Sequence, residues 1–172
     1  MRISILAFSV AAALHAESVA GLKWTAPSEW SNKGTAPMRA ATYIVPPAPG
    51  EKTRAECVVY FFGTGQGGSV EANMDRWKGQ FTQAGKPVPA QIQKRTVHGL
   101  TVATIDTSGD YSGMGGPSAD RPIVEPGYRL LGAIIEGPEG NVFIKFAGPA
   151  KTVTASQRSF EQLVNSFEKE KK

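Results

Sequence analysis

The sequence predicts an α+β fold: a mainly antiparallel sheet of about six or seven strands flanked by two helices. Three observations predict it. Short β-branched runs meet across tight turns, as in Gln91–Val97 and Leu100–Asp106 around His98-Gly99. Two helical apolar stripes stand apart from those runs, one mid-chain and one at the C-terminus. The regular strand–helix alternation of a parallel doubly wound sheet is absent. With 172 residues, 41% of them hydrophobic and 20% charged, the chain can build one core without a disulfide or a metal.

The elements follow in order. Trp24-Thr-Ala-Pro27-Ser-Glu-Trp30 reads as an extended segment and a turn. Met38–Val45 reads as a strand, ended by the Pro-rich stretch 46–52 because proline cannot donate to a sheet ladder. Ala55–Phe62 is almost continuously apolar, the pattern of a strand covered on both faces. Val70, Met74, Trp77 and Phe81 share one helical face, with Ser69 as N-cap and Gly85 and Pro87 as stops. Arg129–Glu136 and Val142–Ala147 form a second hairpin around 137–141. Thr154-Ala-Ser-Gln157 reads as a capping box opening a last helix, whose stripe is Phe160, Leu163, Val164 and Phe167.

Residues 1–20 read as an export signal and 21–172 as the single folded domain. Arg2 precedes a short apolar run ending in small residues. Cleavage after Ala16, with Leu14 three positions back, is compatible with it, and cleavage after Ala20, with Ser18 and Ala20, fits the small-x-small rule better. The expected location is therefore periplasmic or secreted, with no stable membrane anchor, since the apolar run is shorter than the roughly 20 residues a span needs. The single Cys57 is expected to be buried and inert in its apolar strand. The formal charge of +4 falls to +3 without residues 1–16, and three of the lysines, Lys169, Lys171 and Lys172, are at the tail. No basic stripe interleaved with aromatics suggests nucleic acid.

The Trp24-x-x-Pro27-x-x-Trp30 opening, the element order and the closing Phe160-x-x-Leu163-x-x-x-Phe167 helix resemble the PsbP-like family. That family includes extrinsic photosystem proteins, DcrB-type exported proteins and a Ran-binding group of similar fold. The resemblance runs over most of residues 22–170. It implies an α/β/α sandwich on an antiparallel sheet and a binding or accessory role without catalysis. It supplies no site residue, and the lipid-anchor cysteine of the DcrB type is missing.

Chemistry-bearing motifs are few. Gly63-Thr-Gly65-Gln-Gly67-Gly68 matches G-x-G-x-x-G between a strand and a helix. No acidic residue follows in 83–93 to hold a ribose, and the later elements are hairpins. Asp106-Thr-Ser108-Gly-Asp110 alternates oxygens as calcium loops do, but Tyr111 and Pro117 occupy the glycine and glutamate positions. His98 sits in a turn, and Trp24, Trp30 and Trp77 read as core. The sequence thus predicts no catalytic residue, no metal site and no cofactor.

The long Gly- and Pro-containing segment 108–127 is expected to be a loop that either covers a sheet edge or carries function. With loop 63–68 it is the expected ligand- or partner-binding surface, through Asp110, Tyr111, Met114, Arg121, Gly65 and Gly67. The expected function is a non-catalytic exported binding or accessory protein whose partner is a protein or a small ligand. The alternative is a small extracytoplasmic enzyme or ligand-processing protein with its site at the same two loops.

Overall fold

The structure, a computed structural model, describes residues 16–113 and 124–171. In chain order the described elements are β1 (Ala16–Val19), β2 (Leu22–Thr25), β3 (Ser31–Asn32), β4 (Arg39–Val45), β5 (Ala55–Tyr60), α1 (Val70–Gly79), β6 (Phe81–Gln83), β7 (Lys86–Pro87), β8 (Ala90–Val97), β9 (Leu100–Ser112), β10 (Val124–Gly137), β11 (Gly140–Pro149), α2 (Ala150–Ala155), α3 (Gln157–Asn165) and β12 (Glu168–Lys169). The main sheet has the order β3-β4-β5-β11-β10-β9-β6-β7, and β8 pairs with the same edge of β9 that β6 joins further along. Every named strand pair is antiparallel. A small sheet, β1-β2-β12, stands beside it.

The chain folds around β10, in which Leu130 to Ile135 are buried without interruption. Successive strand residues face opposite ways, so this run feeds two cores. Leu131, Ala133 and Ile135 face Val153, Phe160, Leu163 and Phe167 of the C-terminal segment, together with Leu22 and Trp24. Trp24 stacks on Phe167 with ring centroids 5.0 Å apart. Its indole donates to the Tyr43 hydroxyl at 2.8 Å and to the Glu17 carboxylate at 3.1 Å. On the other face Leu130 and Ile134 meet Met74 and Trp77 of α1, with Ile105 and Phe143. Gly132 between them is required there, since a Cβ would lie 2.6 Å from the Trp77 ring.

The α+β, mainly antiparallel prediction holds, but the described residues contain 12 strands and three helices, more than expected. Most of the extra strands are two- to four-residue ladders, such as β3, β6, β7 and β12. They are too short to show a periodicity, and pairing with a longer neighbour defines them. Phe81 leaves the helical stripe to open β6, because α1 ends at Gln80. The last helix is two. Ser156 ends α2 and precedes α3, and the expected capping box does not form. Instead Arg129 donates to the Thr154 hydroxyl at 2.9 Å and to the Gln157 side-chain oxygen at 3.0 Å.

Both ends of the expected loop 108–127 are strand. β9 runs on to Ser112 and β10 starts at Val124, paired Val124 to Ser112 and Glu125 to Tyr111. Gly109 serves close packing: a Cβ there would meet the Thr82 carbonyl oxygen at 2.5 Å. Pro126 and Gly127 occupy a register shift between Glu125 and Tyr128. Of the remaining connection, residues 114–123, with Met114 and Arg121, lie outside the described residues.

Cys57 is fully buried, and burial pushes its thiol well above the ordinary value. Native protein should therefore resist a thiol reagent that labels the urea-unfolded chain at once. Cys57→Ser should lower unfolding stability by about 1–3 kcal/mol in urea titration, the cost of a buried hydroxyl without a partner.

Candidate functional site

Lys145 is the one charged residue of β11 facing α1, on the same side of the strand as Phe143 and Ala147. Its cross-strand partners are Val58 on β5 and Gly132 on β10. Gly132 carries the Trp77 ring, so the lysine stem emerges beside the end of α1. There the ammonium donates to the Gln80 side-chain oxygen at 2.7 Å and to the Tyr111 hydroxyl at 2.9 Å. It also lies 5.1 Å from the Tyr111 ring centroid, within cation–π range. Two of its three donors are thus used, and no described carboxylate forms an ion pair with it.

Around this amine four elements contribute aromatic rings. Tyr111 of β9 and Tyr128 of β10 stack with centroids 5.8 Å apart. Tyr60 at the end of β5 and Phe62 just beyond it stack at 5.8 Å, and Phe62 meets Phe143 edge-on at 5.4 Å. Arg39 lies over the Tyr60 ring and pairs with Glu56 at 3.1 Å. The result is a face with two connected hollows that share Arg39, Tyr60 and Lys145. One, of about 280 Å³, runs from Lys145 between Trp77, Phe62 and Met38 and has Arg76 on its wall. The other, of about 410 Å³, opens toward Tyr111 and Tyr128.

The electrostatics follow from partial burial among cations. Desolvation, and then the charge of Arg76, pull the Lys145 ammonium down to about 8. Burial raises the Tyr60, Tyr111 and Tyr128 phenols above their ordinary value, so these hydroxyls stay protonated at neutral pH.

Met38 marks the rim. The Ala36–Arg39 bridge is closed by Pro37 and Met38, with Met38 at φ +64°. Proline followed by a left-handed residue is the type II turn, where glycine is the usual occupant. Here a methionine that is 63% exposed accepts that strain.

Of the residues expected to bind, Tyr111 belongs to this face. Asp110, its strand neighbour, points to the opposite side of the sheet. Gly67 packs beside the site: a Cβ would lie 2.8 Å from both Phe62 and Phe143. A Cβ at Gly65 would meet nothing within 4 Å, and this residue belongs to an open turn. Lys145, Tyr60, Tyr128, Phe62 and Arg76 were not expected. One signal points to the first of them: Lys145 interrupts Val142-Phe-Ile-Lys-Phe-Ala147, a strand otherwise apolar on both faces.

The other candidates are engaged elsewhere. His98, at φ +46° in its tight turn, places Nδ1 3.0 Å from the Phe167 carbonyl oxygen and ties the hairpin tip to the C-terminal segment. Asp106 is paired across from Leu131 and so faces away from Lys145, toward the C-terminal helices. There it forms a two-point pair with Arg129 at 2.9 and 2.7 Å. That pair borders a polar cleft of about 140 Å³ beneath α3 and leaves it no unpaired acid at Asp106. Among the described residues no group of three or more His, Cys, Asp or Glu side chains could hold a metal. No described helix is long and apolar enough to cross a membrane.

Two solved structures share this architecture. Cyanobacterial PsbP from Synechocystis sp. PCC 6803 superposes with a TM-score of 0.50 over 96% of this chain and 98% of its own, at 12% identity. The fold is PsbP-like. PA94 from Pseudomonas aeruginosa, a protein of unknown function described as a candidate regulator, gives a TM-score of 0.52 over 92% of this chain and 98% of its own, at 11% identity. At such identities the PsbP-like likeness is one of fold alone. No protein-family model matches the chain. No curated protein matches its sequence.

The PsbP-like sheet and its depressed lysine generate a pH prediction. A lysine whose folded value is lowered binds fewer protons folded than unfolded between about 8 and its ordinary value, so folding stability rises with pH through that window. Relative to Lys145→Met, the wild type should gain about 1–3 kcal/mol between about pH 7.5 and 9.5, read from urea titrations of both. Parallel curves for the two proteins would mean that the amine is solvated like a free lysine.

Proposed function

We propose that the chain is an exported, non-catalytic binding or accessory protein, and that its ligand or partner meets the sheet face around Lys145, Tyr60, Tyr111 and Tyr128. The observation that carries this reading is the part of the sheet that no described helix covers. Beyond the end of α1 the face holds stacked tyrosines and an amine that pairs with no described carboxylate. Aromatic rings with polar tips and partly desolvated cations are the groups that recognition surfaces favour. Catalysis has less to draw on, since the described histidine and the cysteine are both engaged in structure.

Export rests on Arg2 and the apolar run before Ala16. Cleavage after Ala16 fits the folded unit better than cleavage after Ala20. β1 pairs with β2, Glu17 accepts from the Trp24 indole and from Asn32, and Ala20 is buried. A cut after Ala20 would remove all of these contacts. Protein recovered from the periplasm or medium of the native host should have a mass that begins at Glu17; a mass that retains Met1 would overturn the export reading.

The face itself is tested by Tyr111→Ala combined with Tyr128→Ala. Both rings are partly buried and Tyr111 also accepts from Lys145, so the double variant should lose roughly 2–4 kcal/mol and melt about 5–15 °C lower, and binding is compared at a temperature where both proteins are folded. Recovery of the partner cross-linked in the native host should fall at least tenfold. Full recovery with the double variant would place the binding surface elsewhere.

A further inference from the structure

The hollow between Lys145 and Met38 differs in chemistry from the rest of the face, and it is enclosed enough to take a small molecule. Its floor and walls are aromatic: Phe143, Tyr60, Phe62 and the Trp77 ring. Its charged lining residues are Arg39, Arg76 and Lys145, with no acidic side chain among them. Glu56 lies in the adjoining hollow and is paired with Arg39. Resting on the reading of this face as a binding surface, we infer that the hollow takes a small aryl carboxylate, its ring against Phe62 and Tyr60 and its anionic end on the Lys145 ammonium and Arg76.

Size, charge and solvation each narrow the class. At about 280 Å³ the hollow falls just below the usual range for drug-sized ligands, which leaves room for a single ring and excludes a dinucleotide. The two donations to Gln80 and Tyr111 fix the ammonium and leave its third N–H for an acceptor. A compact, strongly hydrated dianion such as phosphate would lose more hydration among these rings than two cations return. A monoanion with an apolar body keeps the charge pairing and buries its ring instead. Met38 then has a role: a flexible apolar side chain, exposed at the rim and held in a left-handed turn, is placed to close over that ring.

The charge state of Lys145 should govern binding. The charged and titratable groups around the amine are Arg76 on α1, Tyr111 on β9, Tyr128 on β10, Tyr60 and Glu56 on β5, and Arg39 on β4. Burial holds the tyrosines neutral at neutral and mildly alkaline pH, so the lysine is the group that changes as pH passes 8.

The experiment is calorimetric titration of the full chain with benzoate, benzamide and inorganic phosphate, with aromatic and methyl NMR shifts to place the contact. Benzoate should bind with a Kd on the order of 0.1–1 mM at pH 7, shift Phe62, Tyr60 and Trp77, and exceed benzamide and phosphate at least tenfold. Its affinity should fall about tenfold toward pH 9.5 in the wild type, but not in Lys145→Arg, which keeps its charge. Benzamide binding as tightly as benzoate, with the same shifts, would overturn the anion assignment and leave the face standing as a binding surface. Absence of benzoate binding, or shifts confined to other residues, would overturn the inference outright, while the reading of the face is decided separately by the tyrosine variants.

Discussion

The central constraint is a strand that must be buried on both sides. From Leu130 to Ile135 every residue of β10 is excluded from water, and neither face of such a strand can be left to solvent without losing roughly 25 cal/mol for each Å² of apolar surface. One face is closed by two short helices and a three-stranded sheet, pinned by Trp24 stacked on Phe167. On the other, α1 is the one described helix, with Trp77 seated on Gly132. The rest of the molecule is arranged around that unequal cover.

Length turns the inequality into a site. A ten-residue helix is roughly 15 Å long, whereas fourteen strand residues span roughly 45–50 Å. α1 therefore ends over the middle of the sheet, and the positions beyond it must tolerate water while still covering apolar strands. Tyrosine and lysine do this well, because each has an apolar body with a polar tip. Tyr60, Tyr111 and Tyr128 cover the strands, and Lys145 crosses from beneath the end of the helix to the edge of the aromatic stack. Its lowered affinity for a proton follows from that covering and from Arg76 nearby, with no described carboxylate paired to it.

How far the sequence reveals this depends on whether the signal is local. The His98-Gly99 turn, the α1 stripe through Met74 and Trp77 and the apolar strand expected at Ala55–Phe62 are written in neighbouring residues, and the structure holds all three, with the strand ending at Tyr60. The split at Ser156 is not, because Thr154 and Gln157 are recruited by Arg129 from another strand. The length of β9 and β10 is hidden too: Gly109 and Pro126-Gly127 read as turn residues, while their positions are set by the close approach of β6 and by a register shift. The site suffers most. Tyr111 could be singled out within its own segment, but the residues it works with come from β5, β10, β11 and α1. No spacing rule joins them, and only the lysine inside an apolar strand hinted at the rest.

The glycine-rich segment shows how one local pattern serves a different end in a different topology. In a parallel dinucleotide-binding sheet, such a loop turns the helix N-terminus onto a pyrophosphate at the strand ends. Here the loop leads from β5 into α1 across the face of an antiparallel sheet, and Gly67 lies flat against Phe62 and Phe143. Asn73 fastens it there by donating to the Gly67 and Ser69 carbonyls, both at 2.8 Å. Glycine is needed at 67 because any Cβ would strike two aromatic rings. The loop lines no part of the hollow itself; Gly67 packs against Phe62 and Phe143, two rings that do. The motif that matches a nucleotide loop is, in this fold, a packing element whose close approach to two aromatic rings leaves room for glycine alone at 67.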